Sequence, residues 1–286
     1  MSRPTPGMIR IERDGAVARI TIEAPQRLNA VDAAMLQAIA DAVAELSTTD
    51  GVRVIAITGA GRGFCSGASL TGAITDPEVG EDTLIAAAHA VQVIAGSPVP
   101  VVALVNGVAA GVGCSLALAT HYVLATESAA FMLAFARIGL MPDGGATATV
   151  AASIGRARAL RLALNGERLP ATTAAEWGLI AEVADDDRFT ERSSEVLAGF
   201  ARAAPQALAA TVAAIDAAVL PDLAGALARE EPGQRQLLAG NDFREGVAAF
   251  TERRPPRFGG TASPDVPTAD PTKEYREGAV PFVARP

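Results

Sequence analysis

Three stretches of this chain carry residue types and spacings that could do chemistry. The first is Pro142-Asp143-Gly144-Gly145, a turn that sets one carboxylate among apolar residues. The second is the loop Gly59-Ala60-Gly61-Arg62-Gly63-Phe64-Cys65-Ser66-Gly67-Ala68, and the third is Asn106-Gly107 followed by Gly111 and Gly113. Both glycine-rich loops come directly after β-branched runs that read as buried strands, Val52 to Thr58 and Val101 to Val105. Two such loops suit two backbone N–H groups converging on one oxygen, the layout of an oxyanion hole. Asp143 would then be the side chain that moves protons. A second reading stands beside it, because an acid ahead of two glycines and a helix also fits an N-cap. If Asp143 faces a pocket beside Phe131, Phe135 and Leu140, apolar walls would raise its pKa, while the adjacent helix N-terminus would lower it.

Other chemistries have weaker support. A dinucleotide fingerprint needs G-x-G-x-x-G opening a helix; Gly59 and Gly61 fit, but the third position holds Phe64. No G-x-S-x-G elbow is present. Cys114 and His121 lie seven apart on one expected helix, so about 10 Å separates their Cα atoms. The two histidines and two cysteines show no metal-ligand spacing. The cluster Arg253-Arg254-Pro255-Pro256-Arg257 reads as a solvated basic edge or as a phosphate contact. Phe250 and Phe258 flank it and would pack on a ring system or on the core.

The elements that must position these residues are legible at coarse grain. Ile9 to Arg13 and Ala16 to Glu23 alternate around Asp14-Gly15, a β-hairpin. Val31 to Leu46 has helical spacing with Asp32 as its cap. Gly72 to Asp82 reads as a mobile polar flap, Thr83 to Ala95 as a helix, and Tyr122 to Ala125 as a strand. Helices are then expected at Ala146 to Ile154, Gly155 to Asn165, Ala171 to Trp177, Glu191 to Ala203, Pro205 to Val219, Leu223 to Leu238 and Asn241 to Arg253. The first part is strand–helix alternation and the last third is helical. The Pro-, Gly- and Thr-rich tail from Gly259 is expected to be disordered. At 286 residues, 50% apolar, the chain can bury a sizeable core. Its net charge of -8 argues against nucleic acid or an anionic membrane surface as the main partner. Two cysteines make no disulfide framework, and no apolar run reaches transmembrane length or forms a signal core, so a cytoplasmic location is expected.

Taken together, IEAPQRLNAVDAAM, VRVIAITGAGRGFCSGASL, NGVAAGVGCSLALA, IGLMPDGGAT, IGRARALRLALNGERLPATTAAEWGLI and DFREGVAAFTERRPPRF resemble the crotonase, or enoyl-CoA hydratase/isomerase, superfamily. The resemblance spans roughly Ile9 to Phe258. It implies an α/β fold with a ββα spiral core over residues 1–200 and a helical trimerisation region over 201–258, assembled as trimers or paired trimers. It also implies an acyl-CoA substrate and no separate cofactor. By motif position the thioester oxygen would sit between the backbone N–H groups of Ala68 and Val112. Val112 stands where many members have glycine, so its φ/ψ must be one that valine tolerates. The remaining substrate contacts would come from Arg27, Ser66, Gly111, Ser115, Phe131, Phe135, Leu140, Phe250 and Arg254.

Two departures shape the expected chemistry. The hydratase pattern has one glutamate after the G-G-G-C sequence and another in a P-E pair, and this chain has Ser115 and Phe135 there. Adding water across a double bond needs a base and an acid, and neither residue supplies one. Asp143 lies where isomerase branches with a G-L-x-P-[DE] turn keep a proton-shuttling carboxylate, and one carboxylate suits a 1,3-proton shift. Double-bond isomerisation is therefore the expected activity. A hydratase drawing a second acid from Asp76 to Asp82, and an acyl-CoA-binding protein without chemistry, are the alternatives.

Overall fold

The computed structural model describes residues 8–70 and 77–259. Positions 72–76 of the expected flap and the tail beyond Gly259 lie outside the described residues. β1 (Met8–Asp14) and β2 (Val17–Glu23) pair as the antiparallel hairpin, with Gly15 taking a positive φ in the turn. α1 (Ala33–Thr48) starts where Asp32 accepts a hydrogen bond from the Met35 N–H at 2.9 Å. Then come β3 (Val54–Gly59), β4 (Gly63–Cys65), α2 (Pro77–Ala95), β5 (Val101–Val105), β6 (Val108–Ala110) and α3 (Val112–Leu118). β7 (Tyr122–Thr126), β8 (Ala130–Met132), α4 (Ala146–Asn165), β9 (Leu169–Pro170), α5 (Ala171–Trp177) and β10 (Glu182–Ala184) follow. α6 (Phe189–Arg202), α7 (Pro205–Val219), α8 (Leu223–Leu238) and α9 (Asn241–Glu252) complete the described chain.

The strands form two sheets, ordered β1-β2-β3-β5-β7-β10 and β4-β6-β8-β9. Each is mixed: the hairpin and the β8–β9 pair are antiparallel, and the remaining pairs are parallel. The path explains the arrangement. β3 runs on into β4, β5 into β6, and β7 into β8, so each turn of chain lays one strand in each sheet. α1 precedes, α2 and α3 return the chain to the next turn, and α4 leads to β9 at the edge of the smaller sheet. This is the expected ββα spiral. Its corners need glycine, because a Cβ on Gly59 would lie 2.2 Å from the Gly63 carbonyl oxygen and one on Gly107 2.2 Å from that of Arg62.

The larger sheet is apolar on both faces, as a mostly parallel sheet must be. On one face Ile55, Ile57, Val101, Ala103, Val105, Val123 and Ala125 join the main core with Leu36 and Ile39 of α1 and Val91 and Ile94 of α2. The alternate residues, Val54, Ala56, Val102, Leu104 and Leu124, pack on Val196 and Leu197 of α6. α7 buries none of its residues within the protomer. Among the described residues no single helix is long and apolar enough to cross a membrane.

Several expectations change. The second half of the proposed flap is helix, since α2 begins at Pro77, not Thr83. Pro77 at the first position and Glu78 in the first turn are good helix-start residues. The strands β4, β6 and β8, three residues each, interrupt segments read as loop or turn. His121 lies beyond the end of α3, and its ring is structural: Nδ1 accepts from the Val101 N–H at 3.0 Å and Nε2 donates to the Ala95 carbonyl at 3.2 Å. Burial lowers its pKa. Gly155, at φ 75° and ψ 162°, kinks α4 where two helices were expected to meet.

Candidate active site

Parallel pairing of β4 with β6 sends the two glycine-rich loops off the same end of the smaller sheet. Gly67 (φ 109°) and Gly111 (φ 52°) then abut: a Cβ on Gly111 would lie 3.7 Å from the Gly67 Cα. The amides that follow are Ala68 and Val112. The bridge between Val31 and Ala68 uses the Val31 N–H to Gly67 O (2.9 Å) and the Ser69 N–H to Val31 O (2.7 Å), which leaves the Ala68 N–H outside it. Val112 is the first residue of α3, so its N–H has no intrahelical acceptor. The glycine before it takes the unusual backbone angles, and Val112 itself starts a helix at no cost to its β-branched side chain.

Asp143 reaches the same end of α3. Ser115 Oγ donates to the Asp143 carbonyl oxygen at 2.8 Å and lies 3.5 Å from that of Gly111. Ser115 Oγ therefore links the Asp143 backbone to the Gly111 carbonyl, whose peptide carries the Val112 N–H. Gly144 and Gly145, both at positive φ, swing the chain into α4, and a Cβ on Gly144 would lie 2.9 Å from the Ser115 Cβ. Asp143 as a whole residue is 8% exposed. Its Oδ2 accepts from Gln234 Nε2 at 2.7 Å, and its Oδ1 is buried with no partner among the described residues.

The N-cap reading of Asp143 is overturned. Gly145 is the cap residue of α4, and the carboxylate serving that helix end is Glu230 from α8. Glu230 accepts from the Gly145 N–H (2.7 Å), the Thr147 N–H (3.0 Å) and Thr147 Oγ1 (2.5 Å). The helix end is therefore already answered by a negative charge, and it does not hold the Asp143 carboxyl down. Burial pushes that carboxyl up to about 7; the Gln234 hydrogen bond opposes the rise and the Glu230 charge adds to it.

A family model described as enoyl-CoA hydratase/isomerase matches residues 12–261. The chain belongs to the enoyl-CoA hydratase/isomerase family. A Rhodobacter capsulatus protein named "Probable enoyl-CoA hydratase" is 42% identical over 255 residues, covering 88% of this chain and 98% of its own. The "1,2-epoxyphenylacetyl-CoA isomerase" of Escherichia coli is 37% identical over 249 residues, covering 85% and 95%. The crystal structure of an enoyl-CoA hydratase from Mycobacterium avium subsp. paratuberculosis superposes with a TM-score of 0.83 at 45% identity, covering 88% of this chain and 98% of that one. The fold is thus the α/β crotonase fold, and family membership implies an acyl-CoA ligand.

The two positions where hydratases of this family are expected to carry glutamate hold other chemistry here. Ser115 ties α3 to the Asp143 turn. Phe135 is buried, with its Cζ 3.9 Å from where a Gly111 Cβ would stand, so an aromatic ring walls the loop junction. Phe131 is buried in the core and Leu140 packs against it, its N–H on the Phe135 carbonyl at 3.0 Å. Ser66 is a loop tie, its N–H on Leu28 O (3.0 Å) and its hydroxyl on Arg27 O (3.1 Å). Arg27 reaches Asp32 at 3.5 Å, and its Nε is buried without a partner among the described residues.

Other sequence-derived candidates do not join this group. Arg254 gives Nη1 and Nη2 to Glu245 (2.5 and 2.9 Å) and Nε to Glu252 (2.6 Å). It locks the end of α9 internally rather than presenting a free cation. Phe250 is 69% exposed and joins no core cluster among the described residues. For the second acid, Asp76 lies outside the described residues and Glu81 pairs with Arg235. Glu230 and Gln234 were missed, since no local pattern in α8 announces a partner some ninety residues back in the chain.

The buried carboxyl has a stability consequence. With a folded pKa near 7 against an ordinary 3.8, the folded state holds a proton that the unfolded state has lost. Stability contributed by this group therefore falls as pH rises from about 4 to about 7. Asp143→Asn removes the titration. The urea midpoint of the wild-type protein should fall relative to that of the variant across this window, and parallel pH curves would contradict the assignment.

Proposed function

We propose that this chain isomerises a double bond in an acyl-CoA, holding the substrate as an enolate and moving one proton with Asp143. The Ala68 and Val112 N–H groups receive the thioester oxygen. Asp143 Oδ1 takes a proton from the α-carbon; the C–H electron pair moves into the Cα–C bond and onto the thioester oxygen. The resulting dienolate is held by the two amides. Asp143 then returns the proton to the γ-carbon, and the double bond moves into conjugation. No water is consumed and Asp143 ends as it began. Phe131, Phe135 and Leu140 supply the apolar wall.

The observation that carries this reading is one buried carboxyl with a free oxygen and a pKa near neutrality, beside two positions that lack the acids hydration needs. Arg27 is the proposed contact for the CoA phosphates. α7, apolar and unburied, supports assembly into trimers or paired trimers. The test is incubation in D2O with a panel of enoyl-CoAs. Isomerisation predicts conversion of a 3-enoyl- to a 2-enoyl-CoA with no hydrated product, and deuterium at the α- and γ-carbons to the extent that the Asp143 proton exchanges with solvent between the two transfers. The hydratase reading is favoured by the names of the Rhodobacter protein and the Mycobacterium structure, and it predicts water addition to crotonyl-CoA. That result would overturn the isomerase assignment, and tight binding without turnover or exchange across the panel would overturn both.

A further inference from the structure

α8 meets the Asp143 turn through two buried polar side chains one helical turn apart, Glu230 and Gln234. Glu230 holds the start of α4 and makes no hydrogen bond to the Asp143 side chain, acting on it through charge. Gln234 holds the turn itself. Its Oε1 accepts from the Met141 N–H at 3.1 Å, and its Nε2 donates to the Met141 carbonyl at 2.9 Å and to Asp143 Oδ2 at 2.7 Å. The neighbouring Gly233 allows this approach, since a Cβ there would lie 2.8 Å from Met141 Sδ.

The three contacts fix the amide's orientation. A flipped amide would face the Met141 N–H with a donor and two oxygens with an acceptor. Nε2 can therefore only donate to Oδ2. A proton on Oδ2 would set donor against donor, so the acid form of Asp143 carries its proton on the other oxygen. That oxygen, Oδ1, has no partner among the described residues.

We propose that Gln234 is a positioning residue that dedicates Oδ2 to the scaffold and so assigns the exchanging proton to Oδ1. The proposal rests on the reading of Asp143 as the proton carrier. A side chain that merely packed could be replaced by any residue of its size. One that donates to the carboxylate also sets where the carboxyl ionises, because its hydrogen bond favours the charged form. The other groups at this turn are Ser115 from α3, which bonds only backbone oxygens, and Val91 from α2, which packs on Gly144 and Gly145. Glu230 is the charged side chain acting on Asp143 among the described residues. Arg235, adjacent to Gln234, is committed to Glu81 and Glu231.

The experiment is a carbon-13 NMR titration of the Asp143 carboxyl in the full chain, assigned by its loss in Asp143→Asn. The probes are wild type, Gln234→Met and Gln234→Leu. Removing the donor should move the ionisation midpoint up by about one pH unit, as expected for a hydrogen bond to a charged group. Gln234→Leu is a second neutral variant without a donor, so it serves if Gln234→Met does not fold, and it too should raise the midpoint. The midpoint of α-proton exchange should move with it while the KM for acyl-CoA stays in place. An unmoved midpoint in both variants, with exchange lowered equally at every pH, would overturn the positioning role. Full exchange by Asp143→Asn would instead remove the reading beneath it, a separate and distinguishable failure.

Discussion

Asp143→Asn is expected to slow α-proton exchange on an acyl-CoA by about 10²–10⁴-fold, the usual worth of a positioned general base. The substitution keeps the side chain's size, and its amide oxygen can still accept from Gln234. The turn, the Ser115 contact to the Asp143 carbonyl and the Glu230 cap all rest on atoms that do not change. Acyl-CoA affinity should therefore stay at the wild-type level while turnover is lost. Mass-spectrometric exchange and calorimetric binding read the two quantities separately. Exchange at the wild-type rate would mean that another group moves the proton. A loss of affinity equal to the loss of rate would mean that Asp143 holds the ligand or the turn rather than doing chemistry.

The second large effect is expected at Gly111. Its φ of 52° with ψ of -129° is a conformation that L side chains rarely adopt. Space is not the obstacle, because an added Cβ would meet only the Gly67 Cα at 3.7 Å and the Phe135 Cζ at 3.9 Å. Gly111→Ala must therefore relax by rotating the backbone, and the peptide that rotates carries the Val112 N–H. Losing one such donor typically costs about 10²–10³-fold in kcat. The strain itself is about 1–3 kcal/mol, so the variant should fold with a lowered urea midpoint. A kcat near wild type in a destabilised variant would remove Val112 from the oxyanion hole and leave Gly111 a purely structural role.

Much of this arrangement was legible in the sequence, for physical reasons that also mark the limit. β3 and β5 are continuous β-branched runs because both of their faces are buried, and α1 carries its cap, Asp32, next to its apolar stripe. Gly111 and Gly113 announce close backbone approach, and the structure makes both against the first loop, where a Cβ would lie 3.7 Å from the Gly67 Cα and 2.4 Å from the Cys65 carbonyl oxygen. The smaller sheet was not legible. Strands of three residues, such as β4 and β8, are too short for any period to show, and they exist only because the spiral stacks them. The environment of Asp143 was not legible either. Apolar walls and the helix end pull its pKa in opposite directions; burial wins, opposed by Gln234 and helped by Glu230, and both of these reach the turn through tertiary packing alone. Arg254 shows a partner that sequence alone hides. A basic cluster invites a phosphate, but Glu245, nine residues earlier on α9, already occupies its guanidinium.

The central claim is geometric: two amides on one oxygen and one carboxylate oxygen on the adjoining carbon. A crystal structure of the protein with a CoA thioester bound tests it most directly. The account predicts the thioester oxygen about 2.7–3.1 Å from both the Ala68 and Val112 nitrogens. It also predicts Asp143 Oδ1 about 3–3.5 Å from the α-carbon, with Gln234 still on Oδ2. A thioester oxygen bound away from either amide, or Oδ1 turned away from the acyl chain, would contradict it.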